Sequence, residues 1–231
     1  MELRKSVALM WTGPRAVLAF GRLVRDPSRL EQVFTILDTL EKHGGGEAIV
    51  RYFADDPAHR EAFVKRPRIG RPDLEALAKL PEGTLGRVFA DEMRSRGLDP
   101  AAIEVKPDDG TDAGYVFSHL RETHDVWHTA TGFDVDVAGE LGLQAFYVTQ
   151  FCAQLSLVIL SMGLLNTAFF VPGEREARMD AIARGWQLGR RSRSLFGFDW
   201  AAHWATPLAG VRATLGLVVD EPERASHLRA A

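Results

Sequence analysis

The feature that most constrains the fold of this chain is a run of 33 residues without a charged side chain, from Leu141 to Gly173. The run is longer than the ~20 apolar residues that a membrane span requires. It also contains glutamine, serine, threonine and asparagine, whose side chains cost free energy in lipid unless they are paired. We therefore predict that the run lies in a long central helix buried by its neighbours. A transmembrane helix is the alternative.

Apolar residues in the rest of the chain recur with the helical period, and sustained strand-like alternation is absent. Asp-Pro pairs at residues 26–27 and 56–57 are typical helix starts, and Thr84 is a typical N-cap. Gly97 and Gly132 each follow a segment with helical spacing, so we expect both to end helices.

Together these signals predict an all-α fold, a single-domain helical bundle of about seven to nine helices with a long buried central helix. The chain has 231 residues, of which 46% are hydrophobic, and this is enough for a substantial core. Neither a linker nor an internal repeat divides it, so we predict one domain over residues 1–219. Residues 220–231 are polar and are expected to form a flexible C-terminal tail.

Charge and cysteine content narrow the class of protein. Lys and Arg number 28 and Asp and Glu number 31, and a net charge of −3 does not favour nucleic-acid binding. The single cysteine, Cys152, cannot form an internal disulfide, which fits a reducing compartment. The N-terminal segment is basic, but Gly13-Pro14 interrupts it and it lacks the apolar segment of a secretory signal. We therefore expect a cytoplasmic protein.

The segment from His124 to His128 carries the strongest chemical signal. On a helix, positions i and i+4 face the same way, so His124 and His128 can present their imidazoles to one point. Asp125 lies in the same broad arc. Eleven residues separate His128 from Glu140, and an antiparallel helix pair would fold Glu140 back towards the histidines. Two imidazoles with one or two carboxylates suit zinc, or another divalent transition metal such as iron.

These residues also have a purely structural interpretation, in which His124 is a core or capping residue and Asp125 a surface acid. We favour the metal site because the two carboxylates add to the histidine pair at a suitable spacing. A di-iron carboxylate centre would need two Glu-x-x-His pairs, and the sequence has none. A phosphohydrolase built on the His-Asp doublet would need further ligands, for which His59, His119 and Asp180 are available.

Polar residues outside the motif carry expectations of their own. Asp136 and Gln144 lie one helical turn before and after Glu140, so either is a candidate to orient a ligand. The basic stretch from Lys65 to Pro72 is expected to be a solvated loop or, less often, an anion contact. The arginines at 190–193 precede an aromatic segment, which we expect to be packed, with a membrane-surface patch as the alternative.

The segment from Arg121 to His128, followed by Thr131-Gly132-Phe133 and Glu140, resembles the signature of the coenzyme Q (ubiquinone) biosynthesis protein 4 family. The pattern of that family is H-D-x-x-H, eleven residues and then E. His124, Asp125, His128 and Glu140 match its four positions. Similar segments occur at residues 25–27, 80–86 and 200–212, so the resemblance extends from about residue 3 to residue 217.

This resemblance implies an all-helical, metal-binding, dimeric protein that associates peripherally with membranes. It implies a role in ubiquinone biosynthesis on prenylated aromatic intermediates. The expected reaction is lyase-type, an oxidative decarboxylation at C1 of the head group that replaces carboxylate by hydroxyl. His124, Asp125, His128 and Glu140 would then be both metal ligands and catalytic residues. The alternative is a non-catalytic scaffold that binds a prenyl-quinone lipid and organises other ubiquinone-biosynthesis proteins.

The resemblance also bears on location and on the charge-free run. Eukaryotic members carry a presequence and this chain shows no clear one, which indicates a bacterial, cytoplasmic protein, with peripheral contact to the inner membrane as an option. The apolar face of the predicted central helix is expected to line a groove for a prenyl tail. Each buried methylene of such a tail would contribute ~0.8 kcal/mol to binding.

Overall fold

The structure, a computed structural model, describes residues 21–22, 24–26, 45–99, 109–151 and 154–219. These residues form nine α-helices and no β-strand, which confirms the predicted all-α class. The helices are α1 (Gly45–Asp55), α2 (Arg60–Lys65), α3 (Leu74–Leu77), α4 (Leu85–Ser95), α5 (Asp112–Thr131), α6 (Val137–Phe151), α7 (Gln154–Phe169), α8 (Arg175–Arg191) and α9 (Leu208–Leu215). Short 3-10 helices at Pro57–His59, Pro172–Glu174 and Ala201–His203 precede α2, α8 and α9.

The chain divides into two compact units, each made of two separated stretches of sequence. The first unit comprises residues 1–56 and 135–186, with α1, α6, α7 and most of α8. The second comprises residues 57–134 and 187–231, with α2 to α5, the end of α8 and α9. The single domain over residues 1–219 stays a prediction. The expected helix after residues 26–27, most of the stretch 98–112 and the expected tail at 220–231 lie outside the described residues.

Local capping explains where the helices of the second unit begin and end. Thr84 Oγ1 accepts a hydrogen bond from the Arg87 backbone N–H (3.4 Å), and α4 begins directly after it. Gly97 and Gly132 have φ angles of 64° and 77°, in the left-handed region that favours glycine. The predicted helix start at Thr84 and the predicted ends at Gly97 and Gly132 are confirmed.

The charge-free run forms two helices, so the predicted long central helix is corrected to a helical hairpin. Leu141 in α6 contacts Gly163 in α7 closely, since a Cβ on Gly163 would lie 2.3 Å from Leu141 Cδ2. One straight helix would separate these two residues by about 33 Å at its rise of 1.5 Å per residue. α6, which ends at Phe151, and α7, which begins at Gln154, therefore pack antiparallel.

The buried part of the run is α6. A Cβ on Gly185 of α8 would lie 1.9 Å from the Gly142 carbonyl oxygen, so only glycine fits at this crossing of α6 and α8. On another side Phe53 of α1 contacts Phe151, with ring centroids 5.5 Å apart. The large buried side chains of α6 are Leu141, Leu143, Phe146, Tyr147 and Phe151. Of the predicted central helix, the α6 half is thus buried as expected.

α7 reverses the usual distribution of polar and apolar residues on a helix. Its buried residues are mostly small or polar, namely Ser156, Met162, Gly163, Asn166 and Thr167. Its exposed residues include large apolar side chains, namely Leu157 and Leu164 (48% and 42% exposed), Leu165 and Phe169 (37% and 73%). Contiguous exposed apolar surface of this kind is typical of faces that bind lipid or another protein.

Membrane crossing by one helix finds no support among the described residues, where no single helix is both long and apolar enough. The two segments Gln154–Phe169 and Pro172–Arg191 meet the length and composition criteria only together, and the angle between them is 119°. The transmembrane alternative for the charge-free run is therefore not found as a single helix in this part of the chain.

The basic stretch at 65–72 is held by ion pairs within the second unit. Arg68 pairs with Glu122 of α5, whose side chain is 1% exposed, and the Ile69 and Gly70 backbone N–H groups donate to the same carboxylate (3.1 and 3.2 Å). Arg66 pairs with an acidic side chain at the start of α5 at 2.7 Å. The expectation of a solvated loop or an anion contact is corrected for Arg66 and Arg68.

The aromatic segment after α8 is packed, as expected. Phe196 is 4% exposed and contacts the rings of His119 and Tyr115, with centroids 5.3 and 5.8 Å away. Trp204 stacks on Phe89 of α4 at 5.4 Å. These contacts join the C-terminal part of the second unit to α4 and α5.

Candidate metal centre

α5 carries the two predicted histidine ligands on one face. The rings of His124 and His128 have their centroids 4.9 Å apart and their planes at 88°. His124 is partly buried, and His128 is 2% exposed. This is the arrangement that the i, i+4 spacing predicts.

The end of α5, just after His128, is tied to two other helices. The Arg212 guanidinium of α9 donates to the carbonyl oxygens of Ala130 (2.9 Å) and Thr129 (3.2 Å). A helix end leaves such carbonyls without intrahelical partners, and a cation also suits the negative end of the helix dipole. Thr129 Oγ1 donates to Glu92 of α4 at 2.6 Å. The turn that carries His128 is therefore anchored on both sides.

The hydrogen bond of His128 sets its tautomer. Nδ1 lies 3.3 Å from the Phe133 carbonyl oxygen, which can only accept, so Nδ1 carries the proton. In the neutral ring, Nε2 is then the nitrogen with the lone pair that a metal ligand requires. A hydrogen bond to the second ring nitrogen also orients the ring of a metal-binding histidine.

α6 places Glu140 in its first turn, next to the histidines. Asp136 caps this turn, because its Oδ1 accepts from the Gly139 N–H (2.7 Å) and its carbonyl oxygen accepts from the Glu140 N–H (2.8 Å). One ligand atom from each of His124, His128 and Glu140 lies within 4.8 Å of the other two. Within the part of the chain that the structure describes, this is the one group of three such side chains.

Two imidazole nitrogens and a carboxylate oxygen fit a divalent transition metal. This donor set occurs in catalytic zinc sites, which keep a further position for water or substrate. It also suits iron, so the ligand types alone do not select one metal. Ligands at about 2.1 Å in a tetrahedral site lie about 3.4 Å from one another, so a spread below 4.8 Å needs only small side-chain movements to close on an ion.

The remaining predicted polar residues take other positions. Asp125 is partly buried and is not in the group of three, since it lies about 100° round the helix from His124. Asp136 serves as the cap of α6, so the structure shows a structural role for it. Gln144 is 9% exposed and makes no hydrogen bond in the described residues. The ligand role of Asp125 and the catalytic role of all four motif residues stay predictions.

His119, which a phosphohydrolase site would need, is used structurally. Its Nδ1 lies 3.0 Å from the Pro67 carbonyl oxygen, and its Nε2 accepts from the Gly197 N–H at 3.1 Å. Burial lowers the pKa of His119 to about 4, so the ring is neutral near pH 7. His59 is buried against Phe196, and Asp180 is exposed on α8. Nothing in the described residues supports the phosphohydrolase alternative.

Two residues that support the site were missed by the sequence interpretation. Glu122 lies two residues before His124 and anchors the loop at Arg68, 54 residues away in sequence. Arg212 is 82 residues from the carbonyl that it binds. Each charge was visible in the sequence, but no local pattern specifies which distant group pairs with it.

The fold and the site define a class: all-helical proteins in which two histidines one turn apart on one helix meet a glutamate of the next helix. The family model of the coenzyme Q (ubiquinone) biosynthesis protein Coq4 matches residues 17–221. The chain belongs to this family, which confirms the resemblance drawn from the motif.

Relatives of known name support the same assignment. The mitochondrial ubiquinone biosynthesis protein coq4 of Aspergillus niger is 33% identical over 167 residues, which is 70% of this chain and 56% of that protein. The mitochondrial COQ4 homolog of Danio rerio is 26% identical over 225 residues, or 91% of this chain and 78% of that protein. The chain thus spans only a little over half the length of several of the relatives that it matches.

A solved structure shows the same fold. The crystal structure of a Nostoc punctiforme protein named for ubiquinone biosynthesis superposes with a TM-score of 0.76 at 31% sequence identity. The match covers 87% of this chain and 96% of that chain. The all-helical architecture is therefore shared across most of both chains.

Proposed function

We propose that this protein is a metal-dependent component of ubiquinone biosynthesis that acts on prenylated aromatic intermediates. The observation that carries the proposal is the convergence of His124, His128 and Glu140 within 4.8 Å. Asp125 is the proposed fourth ligand, reached by a change of its side-chain rotamer, and zinc is the metal we expect first. The family assignment supports the role in this pathway, and the two imidazoles with a carboxylate support the binding of a metal.

The proposed reaction is oxidative decarboxylation at C1 of the head group. The bond from the ring carbon to the carboxylate breaks, a bond from the same carbon to oxygen forms, and carbon dioxide leaves. In balanced form the ring carboxylic acid, water and dioxygen give the phenol, carbon dioxide and hydrogen peroxide, so dioxygen is the two-electron oxidant that we propose. A divalent metal at this site would supply positive charge and open coordination positions for an oxygen of the substrate.

The residues of the chain prepare the site for this chemistry. The Phe133 carbonyl oxygen accepts from His128 Nδ1, which makes Nε2 the nitrogen with the lone pair in the neutral ring. The depth of His128, at 2% exposure, limits access of bulk water and strengthens electrostatic interactions there. Gln144 follows Glu140 by one helical turn, and its amide is a candidate contact for a polar group of the substrate.

The prenyl tail is proposed to lie on the apolar surface of the charge-free run. The exposed leucines of α7, Leu157, Leu164 and Leu165, follow the helical spacing of one face. Each methylene that this face covers would contribute ~0.8 kcal/mol, so a long tail would supply most of the binding free energy. The partner is then a prenylated quinone precursor or a similar isoprenoid lipid.

The same exposed face favours a second function, that of a non-catalytic scaffold. Phe169 and Phe170, at the end of α7, are 73% and 53% exposed, and such surface suits a lipid, a second copy of the chain or another protein of the pathway. In this role the metal is structural or presents the substrate. Homodimer formation, peripheral contact with the inner membrane and a cytoplasmic location in a bacterium belong to the same set of proposals.

Turnover separates the two functions. Metal-loaded protein is incubated aerobically with a prenylated hydroxybenzoate, and the decarboxylated, hydroxylated product is sought by mass spectrometry. The enzyme proposal requires product from the wild type and none from His124→Ala. His203→Ala is the matched control, because among the described residues the His203 side chain contacts only near neighbours in the chain, the Asp199 carbonyl oxygen (2.7 Å) and the Phe198 ring. Lipid binding without product, with each plausible metal, would leave the scaffold as the function.

A further inference from the structure

Arg178 of α8 is a buried cation with no acidic partner among the residues that the structure describes. It is 6% exposed and lies in the first unit. Its Nη1 donates to Asn166 Oδ1 (2.8 Å) and to Thr167 Oγ1 (2.9 Å), both in α7. Among the described residues, no carboxylate forms an ion pair with it. Both groups that hold the guanidinium are therefore neutral.

Two other arginines of the described residues, the buried Arg212 and the partly buried Arg68, are compensated more fully. Arg68 pairs with the carboxylate of Glu122, and Arg212 donates to two backbone carbonyls at the end of α5. For Arg178, the nearby C-terminal end of α7 supplies only the partial negative charge of a helix dipole. Burial of a guanidinium without a counter-ion is costly, and the cost is removed when an anion pairs with it.

The guanidinium of Arg178 is held in one orientation. Asn166 Nδ2 donates to the Val24 carbonyl oxygen (2.9 Å), which turns its Oδ1 towards Arg178. With Nη1 used on α7, the Nε and Nη2 hydrogens remain, and these form the planar fork that binds a carboxylate or phosphate. Neither of these nitrogens has a hydrogen-bond partner among the described residues.

Apolar side chains are exposed directly after the partners of Arg178 in the chain. The Phe170 N–H donates to the Asn166 carbonyl oxygen (2.9 Å), so the chain turns at this point. Phe169 and Phe170 are strongly exposed at this turn. A cation held on Asn166 and Thr167, followed at once by exposed phenylalanines, matches an amphiphile with an acidic head group.

We propose that Arg178 is a binding site for an oxyanion, either a carboxylate or a phosphate, with Asn166 and Thr167 as positioning residues. The site goes beyond the proposed function, because it requires neither the metal nor turnover. Inorganic phosphate and the head group of an alkyl phosphate present the same oxyanion to Arg178. Only the alkyl phosphate has a chain that can contact Phe169 and Phe170, so these residues distinguish the two ligands.

The test is a titration of the full chain at low ionic strength with inorganic phosphate, octyl phosphate and octyl glucoside. Calorimetry measures the affinity for each ligand, and NMR of the arginine Nε–Hε resonances shows whether Arg178 responds. Arg178→Met should weaken binding of both phosphates by at least about tenfold, as expected for the loss of a charge-assisted pair. Arg178→Lys keeps the charge without the fork and should lose less. Arg175→Met is the control, since Arg175 is exposed on the same helix.

A tighter affinity for octyl phosphate, reduced by Phe169→Ser, would assign a lipid-like ligand, and equal affinities would assign a free anion. Three results would overturn the proposal. The first is a wild type whose Arg178 resonance moves with neither phosphate. The second is binding retained in folded Arg178→Met or, should that variant not fold, fully retained in Arg178→Lys. The third is octyl glucoside that binds as tightly as octyl phosphate.

Discussion

His119 and His128 lie on the same helix, α5, and differ in what surrounds their second ring nitrogen. Both are nearly inaccessible, at 1% and 2% exposure, and both have Nδ1 within hydrogen-bond distance of a backbone carbonyl oxygen. His119 Nε2 accepts the Gly197 N–H, whereas His128 belongs to a group with His124 and Glu140. Neither burial nor helical position therefore distinguishes the candidate ligand His128 from His119; the partner of the second ring nitrogen does.

The largest expected effect is on the metal. His128→Ala should reduce bound metal from about one ion per chain to none detectable, because only one imidazole and the carboxylates of Glu140 and Asp125 then remain to hold the ion. Elemental analysis of the purified variant measures this. His119→Leu should keep the full metal content. Stoichiometric metal in His128→Ala would remove the distinction between the two histidines.

The second effect concerns pH. Burial lowers the pKa of His119 from 6.5 to about 4, so the unfolded chain binds a proton at a higher pH than the folded chain does. The contribution of His119 to the free energy of unfolding is therefore fully present above pH 6.5. It is lost as the pH falls from 6.5 towards 4, and the free energy of unfolding decreases by about 3 kcal/mol in total. Urea unfolding at a series of pH values measures it.

The matched variant for this test is His119→Leu, which cannot titrate at this position. Its unfolding free energy should vary less than that of the wild type between pH 6.5 and 4. Parallel curves for the two proteins would show that other groups cause the acid dependence.

The third effect is on stability near pH 7. His119→Leu removes hydrogen bonds to the Pro67 carbonyl oxygen and the Gly197 N–H and should lower the unfolding free energy by about 2 kcal/mol. The midpoint of urea unfolding reports the change. An unaltered midpoint would mean that the two backbone groups find other partners.

The smallest effect is on metal affinity. Asp125→Asn should weaken metal binding by about tenfold, the lower end of the range for residues that complete or orient a ligand set. Competition with a chromophoric chelator gives the dissociation constant. An unchanged value would restrict the site to His124, His128 and Glu140.

The sequence predicted the features that depend on local chemistry. The start of α4 at Thr84 and the end of α5 at Gly132 follow from capping and from positive φ, which act over a few residues. The meeting of His124 with His128 follows from helical geometry alone. That Glu140 joins them follows from the short connection between α5 and α6.

The missed features depend on contacts between distant residues. The reversal between Phe151 and Gln154 has no proline, glycine or charge to mark it, so uniform hydropathy concealed the hairpin. The burial of Arg178 on Asn166 likewise needs the chain to return through Pro172–Glu174. The periodicity of a sequence shows which face of a helix is apolar, and that face is usually taken to be buried. In α7 the large apolar side chains are exposed instead.

The discontinuity of the first unit has a consequence for synthesis on the ribosome. Asn166 donates to the carbonyl oxygen of Val24, 142 residues earlier, and Phe53 contacts Phe151. Residues 1–56 can therefore complete their packing only after residues 135–186 have emerged from the ribosome. By then α4 and α5 can already associate. Late closure of so long a loop is slow, and it leaves apolar surface exposed in the nascent chain. This protein should depend on chaperones more than its size suggests.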